Sequence, residues 1–299
     1  MQQVQVQTAK PQPLHDTPAT RNRRLVRRLF DRFFTHLVLA VFGLIFGLPF
    51  LWLLTTSLKA NRQIFVWPPV LLPDPLIWRN YTDTFTFAPL HLYALNSLII
   101  ATAHVLGATV TSALAAYAFA RLRAPGKNVI FMIVISTMMV PGVVTLVPLF
   151  ILFAKLRWVD TFLPLTIPVM LGTPFFIFLL RQFFLTLPEE MIEAAVVDGA
   201  SQWRIWWKIA MPNAMPALAT AAVFSFIAAW NDFVTPLVFL NSRSKYTLAL
   251  GLQVFLTEHN AEWGLLMAAS TMTVFPIIVL FFFAQKQFIQ GIALTGIKG

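Results

Sequence analysis

The chain has 299 residues, 58% of them hydrophobic and only 11% charged, with a mean hydropathy of +0.73. Soluble domains carry about 25% charged residues, so the composition argues against an ordinary soluble domain and for a polytopic α-helical membrane protein. The net charge of +10 sits at the ends of apolar runs rather than on one face, a pattern of membrane orientation rather than of nucleic-acid binding.

Residues 1–20 are rich in Gln, Pro and Thr and read as a disordered cytoplasmic tail. Residues 21–34, RNRRLVRRLFDRFF, interleave arginine with Leu and Phe, as an interfacial amphipathic lead-in does. A nucleic-acid arm fits less well, because the next residues enter the membrane. Residues 35–58 are an uncharged first span, too long for the apolar core of a signal peptide and without a cleavage site after it. A loop rich in Pro and Trp follows over 59–90. The second span, 93–120, is rich in the small residues that let membrane helices pack closely.

Arg121, Arg123 and Lys127 make a basic turn before a third span at 128–154, which holds Pro141 and Pro148. The fourth, 161–180, holds Pro164, Pro168 and Pro174. Prolines bend membrane helices where neighbours or water satisfy the freed carbonyls, as they can in a bundle lining a cavity. Spans at 214–240 and 263–284 complete a six-helix membrane domain over 35–299. With the N-terminus inside, fifteen of the 22 Lys and Arg residues fall on the inner side and seven on the outer. This bias puts both termini and the loop after the fourth span in the cytoplasm.

There is no cysteine, so disulfides, thiolate metal sites and cysteine nucleophiles are excluded. His15, His36, His91, His104 and His259 are scattered without metal-ligand spacing. No phosphate-binding Gly-x-x-x-x-Gly-Lys-[Ser/Thr] occurs; Gly126-Lys127 is followed by Asn128. The chain is expected to hold no metal and no nucleotide.

The charged island 187–212, LPEEMIEAAVVDGASQWRIWWKIAMP, is the most informative stretch. Thr186 and Glu189 have capping-box spacing, and Glu189 and Glu190 suit a helix N-terminus. Gly199 is placed to end that helix in a left-handed turn, and Ser201 to cap a second helix that Pro212 ends. Ala194, Ala195, Gly199 and Ala200 keep the surface small, so a partner's cleft can admit the backbone while Glu193 finds a cation. Trp203, Trp206 and Trp207 with Arg204 and Lys208 read as an interfacial belt.

Glu193-Ala194-Ala195, then Asp198-Gly199, Ile209 and Met211-Pro212, resemble the EAA loop of the membrane subunits of binding-protein-dependent ABC importers. The family usually has Leu where Met211 stands, a volume-conserving difference. Further fragments are similar to the carbohydrate-uptake branch, of maltose type. They include Thr56-Ser57-Leu58-Lys59, Asn80-Tyr81, Asn96-Ser97, Ala115 to Arg121, Met138 to Pro141, Pro148-Leu149-Phe150, Trp230 to Phe233, and Phe288 to Gly299. The resemblance covers roughly residues 35–299 and implies a type I importer permease fold in a bacterial inner (plasma) membrane. It implies that Glu193, Ala194, Ala195, Asp198, Gly199, Ile209 and Pro212 couple the chain to an ATPase. The implied partners are a second, different permease subunit, a dimer of ATPase subunits that bind ATP and Mg, and an extracytoplasmic sugar-binding protein. The chain itself would be no enzyme, and its cargo a di- or oligosaccharide.

Asp232 is the one carboxylate well inside an apolar span, which puts it against protein or water rather than lipid. With Trp230 and Asn231 it either lines a sugar path, by stacking and hydrogen bonding, or makes a structural hydrogen bond. Other readings are a permease for glycerol-phosphate, polyols or peptides, an ion-coupled secondary transporter, or a membrane-embedded hydrolase or transferase. Ion coupling would need more ionisable groups within the spans, and the enzymes a catalytic dyad or metal cluster.

Overall fold

The computed structural model describes residues 18–256 and 261–296, with side chains described over 30–256 and 261–285. The regular secondary structure of the described residues is helical apart from one antiparallel bridge, Leu256 with Ala261. It forms two compact units, Met1–Trp52 and Leu53–Gly299. The tail expected over 1–20 lies outside the described residues up to residue 17, and so does the end of the C-terminal fragment, 297–299. Pro18 to Thr20 already belong to helix α1 (Pro18–Ser57). Its apolar stretch Phe30–Ser57 spans 28 residues, and the most apolar window is 0% buried.

In the second unit, α2 (Arg79–Phe87) precedes the central helix α3 (Leu90–Arg121). There follow α4 (Lys127–Ser136), α5 (Gly142–Lys155), α6 (Leu163–Met170), α7 (Pro174–Thr186), α8 (Glu189–Val197) and α9 (Gln202–Ile205). The last three are α10 (Met215–Asn231), α11 (Val234–Phe239) and α12 (Trp263–Gly296). Helix α3 packs against α7, α10 and α6, and α12 packs against α10 and α2. Small side chains permit this: Ala101, Ala108, Ser112, Ala113 and Ala116 of α3 are fully buried. A Cβ on Gly107 would stand 2.3 Å from Met170 Cγ, so α3 and α6 approach as closely as they do only because of the glycine. His104 is structural here, with Nε2 2.6 Å from Leu165 O of α6.

By length and apolarity, four helices among the described residues can cross a membrane, or six if each of two bent pairs is one span. The expected span 128–154 is one such pair, bent by 100° between Met139 and Gly142. Val140 is extended (φ −82°, ψ 116°), as a residue before proline prefers, and Pro141 has no N–H with which to continue the ladder. The expected span 161–180 is α6 plus α7 and runs on to Thr186. The expected span 214–240 is not one helix. It stops at Asn231, turns at Asp232 (φ −67°, ψ 116°), and resumes as the six-residue α11.

Two polar layers hold the ends of this unit. At one end, Asn80 Nδ2 donates to Ser57 O (2.8 Å) and Lys59 O (3.0 Å). Asn96 Nδ2 donates to Ser244 O (2.9 Å) and Tyr246 O (3.0 Å), and Leu248 N–H donates to Ser97 Oγ (2.8 Å). Asp160 lies in the same layer. Its Oδ1 accepts from the N–H groups of Asn241 (3.0 Å) and Ser242 (2.9 Å), and its Oδ2 from the Ser242 hydroxyl (2.5 Å) and Lys245 Nζ (3.0 Å). The Ser242 donors, then Lys245 and Asn241, hold the Asp160 carboxyl well below the usual carboxylate range. The opposite end carries the 187–212 segment.

Candidate coupling segment and translocation path

Helix α8 begins with Glu189 and Glu190, which suit the positive end of its dipole. The capping box of Thr186 with Glu189 does not form. Only Leu187 and Pro188 separate α7 from α8, so Thr186 is still the last residue of α7, and its hydroxyl donates to Phe183 O (2.7 Å). Pro188 stands at the N-cap and has no side-chain acceptor. The orphan carbonyls at the end of α7 are taken instead by Arg121, the last residue of α3. Its Nε and Nη2 donate to Phe184 O (3.1 and 2.7 Å), and Nη2 also donates to Leu187 O.

Gly199 ends α8 as the sequence predicts. Its φ is +75°, Gly199 N–H donates to Val196 O (3.0 Å), and Ala200 N–H donates to Ala195 O (2.9 Å). These two bonds are the Schellman pair, which only a residue at ease in the left-handed region closes without strain. Ser201 Oγ then accepts from Arg204 N–H (3.3 Å) and caps α9. Pro212 does not end the second helix. The chain passes from α9 into a π turn, Trp206–Ala210, and continues helical through Met211–Asn213. Met211 N–H reaches back to Trp206 O, and this wider turn carries the chain into Pro212, which has no N–H of its own to place. The bend, 80°, comes after Asn213.

The segment has a buried face and an open face. Ile192, Ala195, Ile205, Trp206 and Ala210 pack with Ala113, Ala116 and Tyr117 of α3 and Leu180 and Phe184 of α7. Tyr117 also donates its hydroxyl to Gln202 Oε1 (3.1 Å). Glu193, Ala194, Asp198, Gly199 and Pro212 are exposed, Ile209 is half-buried, and Ala195 is buried in the contact with α3 and α7. So Ala195 is a packing residue and not part of the small exposed surface. The three tryptophans do not form a belt of equivalents. Trp206 is 1% exposed, with the rings of Trp203 and Trp207 4.8 and 5.7 Å away.

Sequence reasoning passed over Val196 and Val197, which are 49% and 86% exposed at the tip of α8. The available signal was two consecutive β-branched apolar residues at the end of a charged helix, just before its glycine stop. It also passed over Arg121 as a clamp. The segment is therefore a short knob with an apolar, small-residue tip. It is tied to α3 by the Arg121 fork, the Tyr117–Gln202 bond and the Trp206 packing.

The other candidate group is not a cluster. Trp230 is buried and donates its indole N–H to Thr273 O (3.0 Å). Asn231 is exposed and donates to Ile227 O of its own helix (3.0 Å). Asp232 is half-buried, and its Oδ1 accepts from Thr235 N–H (3.1 Å), which caps the first turn of α11. Each of the three has a structural hydrogen bond.

Residues 108–294 match the family of binding-protein-dependent transport system inner membrane components. The chain is 34% identical over 254 residues to the arabinooligosaccharides transport system permease protein AraQ of Halalkalibacterium halodurans, covering 84% of this chain and 91% of that one. It is 32% identical over 267 residues to the sn-glycerol-3-phosphate transport system permease protein UgpE of Yersinia pestis, covering 87% and 95%. Its fold is similar to a chain of a bacterial ABC transporter involved in the import of the acidic polysaccharide alginate. There the TM-score is 0.75 at 22% identity, over 92% of this chain and 99% of that one. With its apolar helices and a family match over more than half its length, the chain belongs to the binding-protein-dependent transport system inner membrane components, the permease subunits of ABC importers.

Proposed function

We propose that this chain is one of the two membrane subunits of an ATP-driven importer of di- or oligosaccharides, with α8 and its flanks as the element that docks on the ATPase. One observation carries the reading. The exposed tip of α8, from Glu193 to Gly199, is backed by Ile192, Ala195, Ile205 and Trp206 against the central helix α3. Motion of a docked partner has a direct route into the membrane bundle. In this reading Glu193, Ala194, Asp198, Gly199, Ile209 and Pro212 meet the partner, and Ala195 holds the tip in place.

The chain crosses the membrane six times, with both termini and the α8 tip in the cytoplasm of a bacterial cell. Contacts within the second unit support the count. Arg121 meets Leu187 at one end, and Asp160 meets Ser242 at the other. Residues 127–155 and 163–186 therefore run in opposite directions between the two ends, and the bent pair counts as one span. The partners are a second permease, two ATPase subunits that hold ATP and Mg, and an extracytoplasmic sugar-binding protein. Trp230, Asn231 and Asp232 stand at a helix break beside the path that the two permeases enclose.

Sugar is favoured by the oligosaccharide relative; the similarity to the glycerol-phosphate permease keeps that cargo as a second reading. Uptake of labelled disaccharides, oligosaccharides, polyols and glycerol-phosphates by cells lacking the chain tests both. Loss of one compound, restored by the wild type and not by Gly199→Trp, names the cargo and supports the docking tip. Uptake at the wild-type rate by inserted Gly199→Trp refutes the docking assignment.

A further inference from the structure

The arginine-rich start of α1 plays no part in the transport reading. Residues 21–34 hold six arginines and one acid, Asp31. They are helical and continue without a break into the apolar stretch Phe30–Ser57. At about 100° per residue, positions 21, 23, 24, 27, 28 and 32, the six arginines, fall within one half of the helix circumference. Asp31 falls in that half too. Leu25, Val26, Leu29, Phe30 and Phe33 occupy the other half, with Phe34 at the border beside Arg23. Where side chains are described they continue the apolar stripe. Phe30, Phe33 and Phe34 are 66%, 68% and 56% exposed, and Phe30 stacks on Phe34 at 6.5 Å.

A helix divided this way fits one environment, the boundary between anionic headgroups and acyl chains. The span itself supplies the position. Phe30–Ser57 is 28 residues, about 42 Å as a helix, and the hydrocarbon is about 30 Å thick, so the stretch is long enough for the Phe30–Phe34 turn, beside the arginines, to reach the headgroup layer. Guanidinium groups pair with phosphate oxygens two at a time, which ammonium groups do not. A basic cluster immediately beside a membrane span is the arrangement that anionic leaflets attract.

We infer that residues 21–34 form an anionic-phospholipid binding helix, whose arginine half gathers lipid phosphates around the first span. The inference is independent of the cargo and of the docking tip. The chain has no cysteine, so Asn22→Cys takes a single label within the apolar half. The full chain, in the complex it purifies with, goes into vesicles of phosphatidylcholine alone or of equal parts phosphatidylcholine and phosphatidylglycerol. Energy transfer from the label to headgroup-tagged phosphatidylglycerol, and the label's immersion depth, are then measured.

The expected result is phosphatidylglycerol enrichment around the label that falls as salt rises, with the label immersed only in the anionic vesicles. An arginine at such a surface favours it by about fivefold, equivalent to about 1 kcal/mol. Replacing Arg23, Arg24, Arg27 and Arg28 together by Gln therefore abolishes the enrichment, and replacing them by Lys weakens it less. The salt series on the unaltered arginines stands even if the Gln variant fails to insert. Enrichment that is indifferent to salt, equal immersion in both vesicle types, or a label protected by added RNA and not by phosphatidylglycerol would each overturn the inference.

Discussion

Gly199 and Arg121 act on the same segment in different ways. A Cβ on Gly199 meets no atom of the chain within 4 Å, so within the chain its φ of +75° is what restricts the position. An L-residue in the left-handed region costs roughly 1–2 kcal/mol, and Asn bears that cost best. Gly199→Asn is expected to insert and fold like the wild type, and Gly199→Trp to insert but to lose uptake almost completely. Quantifying the inserted chain beside the uptake rate separates folding from docking. Arg121→Ala removes the side-chain donor from both carbonyls, leaving Phe184 O with the Leu187 N–H (3.4 Å) and Leu187 O without the guanidinium. An unsatisfied buried group costs roughly 1–3 kcal/mol, so a lower unfolding temperature in detergent is expected. Arg121→Lys keeps the charge and loses the fork. It is expected to recover most of the stability and less of the uptake per ATP hydrolysed, because the tip is held by one bond where there were three. Full uptake with Arg121→Ala would mean the clamp carries no motion.

At the scale of elements, the turn at Gly199 and the cap at Ser201 were legible because their chemistry is local. A left-handed stop and a hydroxyl cap are decided within a few residues of themselves. The Arg121 clamp was not legible, because its acceptors are backbone carbonyls 63 and 66 residues further on, and carbonyls leave no mark in a sequence. The breaks in the third and fifth spans were half legible. Pro141 announces one, but the other is made by Asp232, which reads as a buried charge and instead caps a new helix. Asp232→Asn retains the Oδ1 acceptor and is expected to transport normally, whereas Asp232→Ala frees the start of α11 and lowers uptake. Loss of uptake with the Asn variant would show that the charge itself is needed. The Asp160 layer has a pH dependence of definite sign. Its carboxyl titrates below the ordinary value of 3.8, so the folded form favours the carboxylate. That stability is fully present above the ordinary value and is lost as pH falls below it. Unfolding temperatures of wild type and Asp160→Asn are expected to differ by a constant amount from about pH 5 to 8 and to converge below about pH 4. A gap that is constant down to pH 3 would mean the charge on Asp160 does not matter.

For the whole molecule, charge asymmetry and internal contacts bear on one question from independent sides. The count of Lys and Arg assigns the loops to two compartments without reference to any contact. The contacts join Arg121 with Leu187 and Asp160 with Ser242 without reference to any charge. Both group the loops after the second and fourth spans, and separately the loops after the third and fifth. Length alone leaves the number of crossings between four and six. A four-span chain, with each bent pair re-entrant, would return each of them to the side on which it started. Glu190 and Ser244 decide between these, since both are exposed and neither side chain contributes to the bonds described above. Because the chain has no cysteine, Glu190→Cys and Ser244→Cys can each be labelled alone with a membrane-impermeant maleimide. In intact spheroplasts, Ser244→Cys is expected to react and Glu190→Cys to react only after permeabilisation. Reaction of both from outside, or of neither, would put the two loops in one compartment and remove the fifth crossing.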